Sequence, residues 1–563
     1  MLLLWIGCAL FAAVCGLAFS LARVAERRAK LSLHQPLRSH GAYVRYMRDK
    51  HELNGLGIAQ QLSRHMGGLS SLGLTFSSLP MLGGALFLLG PAIAAGGPAV
   101  IGVGWPIIGL FGLLTAGAVA SYASAVPTAG GCYHWALAAS GRRAGLWSGW
   151  LHIAGSSLLL MTTNVWLADW ICRTVERLFA STGGAGLYYT ALTALFVSQA
   201  AVAARAMRGF VRLLAWSAIV QLLLPAVIVA ALAAQVWHGG DSFLSLGLTA
   251  ADMNPAGEEG GQGPALLGFM LLQRMFLGLG DGAQAAEETH DPRVNVPWSI
   301  FLSAAALALL GFVLFAFIAM HARTGAGGLT APAAIGDWLV GAWERLGNAV
   351  ASLFFLLTAA IVWAGGTSTL AAVSKTLFAM GRDESAPFAA KLAAVSVRHR
   401  SPAWATLAAA AGAGLPALAF ALAVPRDALG LQLPQLVLAG VAAMHAAYAL
   451  PIAGRLMETL RGRGAGGSRK RSRLRGPWEL GKYAAVVDAA TVCWLAGTGF
   501  MAVCLLKPVA LMAAAAISAA GAVGIERRQR ALRRKSPLKI VGSMRFSRRT
   551  IDECIRIERK FPQ

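Results

Sequence analysis

Twelve long apolar runs constrain the fold of this chain more than any other feature of the sequence. An apolar helix of about 20 residues spans the hydrocarbon core of a bilayer and satisfies its own backbone, so each run predicts one transmembrane helix. Only 13% of the residues are charged, whereas a soluble globular chain carries about 25%. The sequence therefore predicts an all-α, multi-pass integral membrane protein, with spans at residues 69–93, 100–124, 145–171, 186–204, 211–236, 265–285, 298–320, 348–380, 402–424, 431–453, 483–505 and 508–525.

The positive charge of the chain orients these spans. The sequence has 49 Lys and Arg residues and a net charge of +24. With the residues before the first span in the cytoplasm, nearly all of these side chains are cytoplasmic, as the positive-inside rule requires. The loop 237–264 then lies outside and carries no Lys or Arg, and the tail 527–563 is cytoplasmic. Basic runs at 469–475 and 527–535 are predicted topological anchors that can also bind anionic lipid. No nucleic-acid motif accompanies the charge, so no nucleic-acid partner is expected.

A further apolar segment, residues 1–22, precedes the twelve runs. Its basic neighbours Arg23, Arg27 and Arg28 follow it, whereas a signal peptide carries its basic residues before the apolar part. We predict an additional span with its N-terminus outside. A cleaved segment and a wrongly assigned start are the alternatives.

Two of the apolar runs are interrupted by glycine. The first interruption lies in SSLPMLGGALFLLG (77–90) and the second in FMLLQRMFLGLGDGAQAAEET (269–289). In a helix interior, Gly costs about 1 kcal/mol and Pro about 3 kcal/mol relative to Ala. Irregular backbone at membrane depth is stable only where it is buried in protein or lines a cavity. Paired interruptions at matching points of two halves indicate the central binding site of a secondary transporter.

Four stretches of the sequence resemble one family in their order and spacing. AIAAGGPAVIGVGW (92–105) resembles the segment after its first helix, and SAVPTAGGCYHWA (124–136) is similar to its loop between helices two and three. AEETHDPRVNVPWSI (286–300) matches its segment after helix six, and GGTSTLAAVSKTLFAMGRDESAPF (365–388) resembles its helix eight. The family is the amino acid–polyamine–organocation superfamily, amino acid/choline transporter branch. The resemblance covers residues 67–526.

This resemblance implies twelve core transmembrane helices, of which the first ten form a five-plus-five inverted repeat with discontinuous helices one and six. The corresponding division of the chain is 1–66 (apolar segment and basic cytoplasmic stretch), 67–236 (helices one to five), 237–264 (outer loop), 265–455 (helices six to ten), 456–482 (basic inner loop), 483–526 (helices eleven and twelve) and 527–563 (basic cytoplasmic tail).

Unwound backbone at the two breaks of such a repeat presents N–H groups to a substrate carboxylate and carbonyls to an ammonium or a cation. We expect the breaks at 80–85 and 278–282. Pro80 lacks an N–H donor. The glycines permit close backbone approach or, as the alternative, only close packing of helices. The predicted substrate-binding residues are Pro80, Gly83, Gly84, Ala85, Asn164, Phe276, Gly278, Gly280 and Asp281.

Two ionisable residues fall inside the second interrupted run, where a charge is costly and indicates function. Asp281 stands one position after the acidic residue common in the family. It is predicted to bind a substrate ammonium or a proton, or to stabilise the break by hydrogen bonding. Arg274 is predicted to have a substrate or gating role, by pairing with Asp281 or by holding a carboxylate. The alternative for Arg274 is extension to the outer interface. Phe276 is a further candidate gate.

The resemblance implies that hydroxyls of helix eight help to bind sodium in sodium-coupled members. The candidate ion-coupling residues are therefore Thr367, Ser368 and Thr369. Their alternative is hydrogen bonding within their own helix. No lysine occurs in helix five, where some proton-coupled members place one. The coupling cation, H⁺ or Na⁺, is left open.

Charged residues at the cytoplasmic ends of helices six and eight are predicted to form ion pairs of an inner gate, with substrate binding as the alternative. Glu287 and Glu288 follow helix six, near Arg293, and Arg382 and Asp383 follow helix eight.

The predicted function is a secondary active permease that moves an amino acid, γ-aminobutyrate, choline or a polyamine by alternating access. The sequence contains no P-loop and no HExxH motif, and its eleven histidines are dispersed. We therefore expect no enzyme activity, no metal site and no cofactor. The alternative is a non-transporting nutrient sensor or scaffold on the same fold. The substrate within this class, the direction of transport and the membrane, plasma or organelle, are left open.

Overall fold

The computed structural model describes residues 2–32, 41–97, 99–179, 184–205, 207–239, 263–324, 334–344, 347–464, 476–533 and 548–561. Within these ranges, twelve helices are long and apolar enough to cross a membrane. Eleven of them correspond to predicted spans, and the twelfth, Ala9–Arg27, lies in the predicted additional span. The predicted span at 265–285 is outside this set because that run is divided into short pieces.

The α-helices of the described residues are α1 (Leu2–Ser32), α2 (Ala42–Asn54), α3 (Gly68–Ser78), α4 (Met81–Phe87), α5 (Leu89–Gly96), α6 (Trp105–Ala125), α7 (Cys132–Ser140), α8 (Arg142–Phe179), α9 (Gly184–Arg205), α10 (Met207–Gly239), α11 (Gly263–Gln273), α12 (Asp281–Gln284), α13 (Pro292–Thr324), α14 (Ala334–Glu344), α15 (Asn348–Arg382), α16 (Ala389–Leu392), α17 (Ala403–Ala423), α18 (Leu429–Gly464), α19 (Ala484–Cys504), α20 (Pro508–Arg533) and α21 (Arg548–Glu558).

The order of helices occurs twice along the core. A broken helix comes first (α3 to α5, then α11 and α12), and a long helix (α6, then α13) and a short helix (α7, then α14) follow it. Three further spans complete each half (α8 to α10, then α15, α17 and α18). This is the predicted five-plus-five architecture, with α19 and α20 after it. The halves interlock, since α6 packs on α13 and α8 packs on α18.

The N-terminal helix α1 packs against α6 and α13. Its buried side chains are spaced by three or four residues and so share one face; they are Val14, Ala18, Leu21 and Ala25. Phe11 also stacks on Phe312 of α13, with ring centroids 4.7 Å apart. Within the predicted additional span, residues 2–22 thus form a helix that packs on the bundle.

Candidate functional site

The first helix of the core is interrupted at Leu79 and Pro80, between α3 and α4. Leu79 is extended, with φ −90° and ψ 109°, and Pro80 has φ −81° and ψ 65°. Pro80 has no N–H and excludes the residue before it from the helical region, which ends α3 here. The predicted break at 80–85 is therefore wrong in extent, because Gly83, Gly84 and Ala85 are helical within α4.

The glycines of α4 permit close packing instead of unwinding. A Cβ on Gly84 would overlap the side chain of Met275 in the second broken helix. A Cβ on Gly83 would make ordinary contacts, at 3.5 Å from Val362 and 3.6 Å from Pro80. Small residues thus bring α4 against its neighbours, which is the alternative that the sequence left open.

The second break separates a 3₁₀ turn (Arg274–Phe276) from α12, which begins at Asp281. The turn residues between them include Gly278 and Gly280, so the observed break overlaps the predicted one at 278–282. The hydroxyl of Tyr448 in α18 accepts a hydrogen bond from the Gly280 N–H at 3.0 Å. This bond satisfies a donor that the break removes from the helical pattern.

The two breaks are in contact beside a narrow buried cavity. A Cβ on Gly278 would overlap the carbonyl oxygen of Ser78, so only glycine allows the two backbones to approach this closely. Pro80 and Gly83 line the cavity, and Gly84 lines an adjoining one. The polar residues that line the first cavity are Ser77, Ser78, Thr163, Gln221, Arg274 and Thr369. The cavity is therefore lined both by residues that the sequence assigned to the site and by residues that it did not.

Arg274 is the charged residue of this lining. Its side chain is buried, with 6% of the residue exposed, and it borders both cavities. Its Nη2 donates a long hydrogen bond of 3.5 Å to Thr163 Oγ1. Within the described part of the chain, no carboxylate forms an ion pair with it, so the predicted pairing with Asp281 is not formed. Burial also rules out the alternative that its head group extends to the outer interface.

Asp281 belongs to a separate buried cluster next to the cavity. Thr369 Oγ1 donates to Asp281 Oδ2 at 3.2 Å, and His152 Nε2 lies 3.8 Å from Asp281 Oδ1. His152 Nε2 is also 3.0 Å from the side-chain amide of Gln284. Asp281 Oδ1 has no hydrogen-bond partner among the described residues. Since Thr369 lines the cavity, one hydroxyl links the cavity to this carboxylate.

Two predicted binding residues lie elsewhere. The side-chain amides of Asn164 and Gln199 bond to each other at 2.8 and 3.0 Å, which joins α8 to α9. Phe276 packs against Gly112 and the Trp105 ring, whose centroid is 5.6 Å away. The Asn164 amide is thus satisfied by Gln199 and the Phe276 ring packs on α6, and neither residue lines the two cavities. Ala85 is buried outside both cavity linings as well.

The hydroxyls of the three candidate ion-coupling residues, Thr367, Ser368 and Thr369, donate to different acceptors. Thr367 and Ser368 each donate to the carbonyl oxygen four residues earlier in α15, at 3.0 Å. Such bonds use the hydroxyl hydrogen within the helix. Thr369 instead donates to Asp281, so it is the member of the predicted set that reaches the site.

Two ion pairs lie at the end of the site that the sequence predicts to be cytoplasmic. Arg382 donates to both carboxylate oxygens of Glu287, at 3.0 and 3.1 Å. Lys375 Nζ lies 2.6 Å from Glu288 Oε2. The partner that the sequence suggested for these glutamates, Arg293, faces Glu52 at 3.6 Å instead. The predicted inner gate thus consists of pairs between the end of the second broken helix and α15.

Asp383, the other acidic residue predicted for the gate, contacts α7. Its Oδ2 is 3.0 Å from His134 Nε2 and accepts a hydrogen bond from the Tyr133 hydroxyl at 3.1 Å. Asp383 therefore fixes α7 to the end of α15 and takes no part in the Arg382–Glu287 and Lys375–Glu288 pairs.

The chain just before α3 covers the inner gate. His65 N and Met66 N donate to the Glu288 carbonyl oxygen at 2.9 and 3.0 Å, and His290 N donates to the Met66 carbonyl oxygen at 2.8 Å. An isolated parallel β-bridge joins Met66 to Thr289. On the same surface, burial raises the pKa of the Asp49 carboxyl above its ordinary value. The two ion pairs of the predicted gate are therefore covered by the chain that precedes α3.

Sequence reasoning did not assign five of the polar residues assembled here to the site. His152 lies beside Asp281, and the other four line the cavity: Ser77, Ser78, Thr163 and Gln221. The one signal in the sequence is that they are polar residues inside apolar runs. Asn164 has the same property but bonds to Gln199, so polarity alone does not distinguish cavity residues from structural ones.

The sequence profile of the family described as amino acid permease matches residues 66–526. The fold is similar to that of the Eremococcus coleocola manganese transporter in complex with an aromatic bis-isothiourea substituted compound, which is 14% identical, with a TM-score of 0.50 over 83% of this chain and 95% of that chain. A mutant of that transporter gives a TM-score of 0.51 at 14% identity, over 83% and 96%. No curated protein has a matching sequence. These structural similarities establish the fold. Because the family profile covers most of the sequence, the chain belongs to the amino acid permease family.

Proposed function

We propose that this protein is a secondary active transporter of amino acids or related small amines and that it works by alternating access. The observation that carries the proposal is the contact of the two broken helices beside a buried polar cavity, which is where such transporters place the substrate. The membership of the chain in a permease family supports transport as the use of that cavity.

The arrangement of the gate agrees with this function. The Glu287–Arg382 and Glu288–Lys375 pairs close the cytoplasmic side, while the cavity lies between the breaks. Release to the cytoplasm would require these pairs to separate as the broken helices move against α15. Buried ion pairs suit such a role, because their direct attraction is largely offset by desolvation and two arrangements can be close in free energy.

Substitution of Gly83 tests the site. We expect Gly83→Leu to reduce uptake by tenfold or more without loss of folded protein, because the added side chain would occupy the cavity. Gly83→Ala is the matched control: its Cβ would make ordinary contacts at 3.5 and 3.6 Å, so uptake should stay close to the wild-type rate. Proteoliposomes with labelled amino acids and amines, under a pH or a sodium gradient, provide the measurement.

Wild-type rates in Gly83→Leu would contradict the site. Absence of uptake by the wild-type protein across the whole panel would contradict transport itself, and saturable binding without accumulation would favour a nutrient sensor.

We also propose that the coupling cation, H⁺ or Na⁺, acts at Asp281. The unpartnered Oδ1 and the Thr369 link to the cavity support this assignment. We expect Asp281→Asn to abolish gradient-driven accumulation while substrate exchange at equal concentrations persists. Thr369→Val should weaken accumulation, and Thr367→Val should not, because Thr367 donates only within its helix. Equal loss in both threonine variants, or full accumulation by Asp281→Asn, would refute the assignment.

A further inference from the structure

We propose that a ligand of the cavity must carry a carboxylate, which Arg274 binds, and that choline and polyamines are therefore not substrates. This inference rests on the proposed function only in taking the cavity between the breaks as the substrate site. It narrows the substrate class from amino acids and amines to carboxylates.

The first argument is the missing counter-charge. Burial of a guanidinium is costly unless an anion is near it. Two other buried cations have one: Arg455 donates to Asp488 at 2.6 and 2.8 Å, and Lys375 lies 2.6 Å from Glu288. Arg274, at 6% exposure, forms no ion pair with a described carboxylate, and the charge of Asp281 attracts it only from beyond contact distance. A group that arrives from outside the chain would complete this site.

The second argument is where the guanidinium lies. Arg274 lines both adjoining cavities at the break, together with Pro80, Gly83 and Thr163. A guanidinium has five N–H donors in a planar fork, and the described protein uses one of them in a long bond to Thr163. Donors are therefore left for a ligand in the cavity.

The third argument is the rest of the lining. Apart from Arg274, its polar side chains are neutral hydroxyls and one amide, and the amide of Gln221 already donates to Ser77 Oγ at 3.0 Å. Among the described residues, no carboxylate lines this cavity, and Asp281 lies behind Thr369. A carboxylate matches the fork of Arg274 with two parallel hydrogen bonds. A quaternary ammonium or polyamine would instead place a second positive charge beside it.

Paired ligands that differ in this one group test the proposal. Purified full-length protein would be heated with each L-amino acid, with the corresponding L-amino acid amide, with choline and with putrescine. The amides retain the ammonium and the side chain but lack the carboxylate. We expect at least one amino acid to raise the melting temperature and its amide to bind at least tenfold more weakly, with no stabilisation by choline or putrescine.

Variants separate recognition from folding. Arg274→Gln should lose the amino acid response while the melting temperature without ligand stays equal or rises, since a costly buried charge is removed. Arg274→Lys should retain part of the affinity. Arg455→Gln is the contrasting variant: it leaves Asp488 buried and unpaired, so it should lower the melting temperature without ligand.

Equal binding of an amino acid and its amide, stabilisation by choline or putrescine, or an undiminished response in Arg274→Gln would overturn the inference. So would a screen in which no carboxylate binds. Uptake of choline that Gly83→Leu blocks would overturn it and leave the transport proposal standing. Carboxylate-dependent binding without uptake would support the inference about Arg274 and contradict the transport proposal.

Discussion

Gly278→Ala is expected to abolish uptake and to destabilise the protein by about 1–3 kcal/mol, the usual cost of overpacking. The added Cβ would overlap the carbonyl oxygen of Ser78, which is a backbone atom and has no rotamer that avoids the contact. The two breaks would have to separate, and the cavity beside them would lose its shape. Unfolding in detergent and uptake in proteoliposomes measure the two effects.

Gly497→Ala in α19 is the matched control for this substitution. Its Cβ would meet open space, and alanine is favoured over glycine in a helix by about 1 kcal/mol. Stability should therefore be unchanged or higher, with normal uptake. A Gly278→Ala protein that melts and transports like the wild type would show that the breaks need not touch.

Glu287→Gln is expected to lower the free energy of unfolding by about 3–5 kcal/mol, because it leaves a buried guanidinium without its anion. Glu287 is 0% exposed, and its carboxylate also accepts a hydrogen bond from the Ala129 N–H at 2.9 Å. The same substitution would weaken closure on the cytoplasmic side. Chemical unfolding of the purified protein measures the loss.

The double variant Glu287→Leu with Arg382→Met should recover much of this loss, since neither charge is then left alone. Glu176→Gln is the control at a half-exposed pair, where Arg426 lies 3.4 Å away. Exposed pairs contribute about 0–1 kcal/mol. A Glu287→Gln protein that is no less stable than Glu176→Gln would contradict the account of the gate.

The sequence predicted the spans and both interruptions, because length, apolarity and glycine act locally. It misjudged the extent of the first break for the same reason. Proline ended α3, as its chemistry requires, but Gly83 and Gly84 stayed helical because packing against Met275 and Val362 decides their use. Both neighbours come from the other half of the fold, so the local sequence around the glycines does not indicate them.

Ion-pair and hydrogen-bond partners on distant helices could not be predicted from the sequence for a similar reason. Lys375, not Arg293, is the partner of Glu288, and the amide of Asn164 is satisfied by Gln199. Each choice depends on which helix faces which. Asp281 and Arg274 were identified as functional candidates because a charge at membrane depth is costly wherever it points. Their separation into two sites required the fold.

The backbone bonds around Met66 have a mechanical consequence. Since α3 begins two residues after Met66, its inner end is joined main chain to main chain with the inner end of the second broken helix. Bonds of this kind do not depend on the side chain, so we expect substitutions there other than proline to leave them in place. We therefore expect the inner segments of both broken helices to move together, with the flexible points at Leu79–Pro80 and at the turn from Leu277 to Gly280.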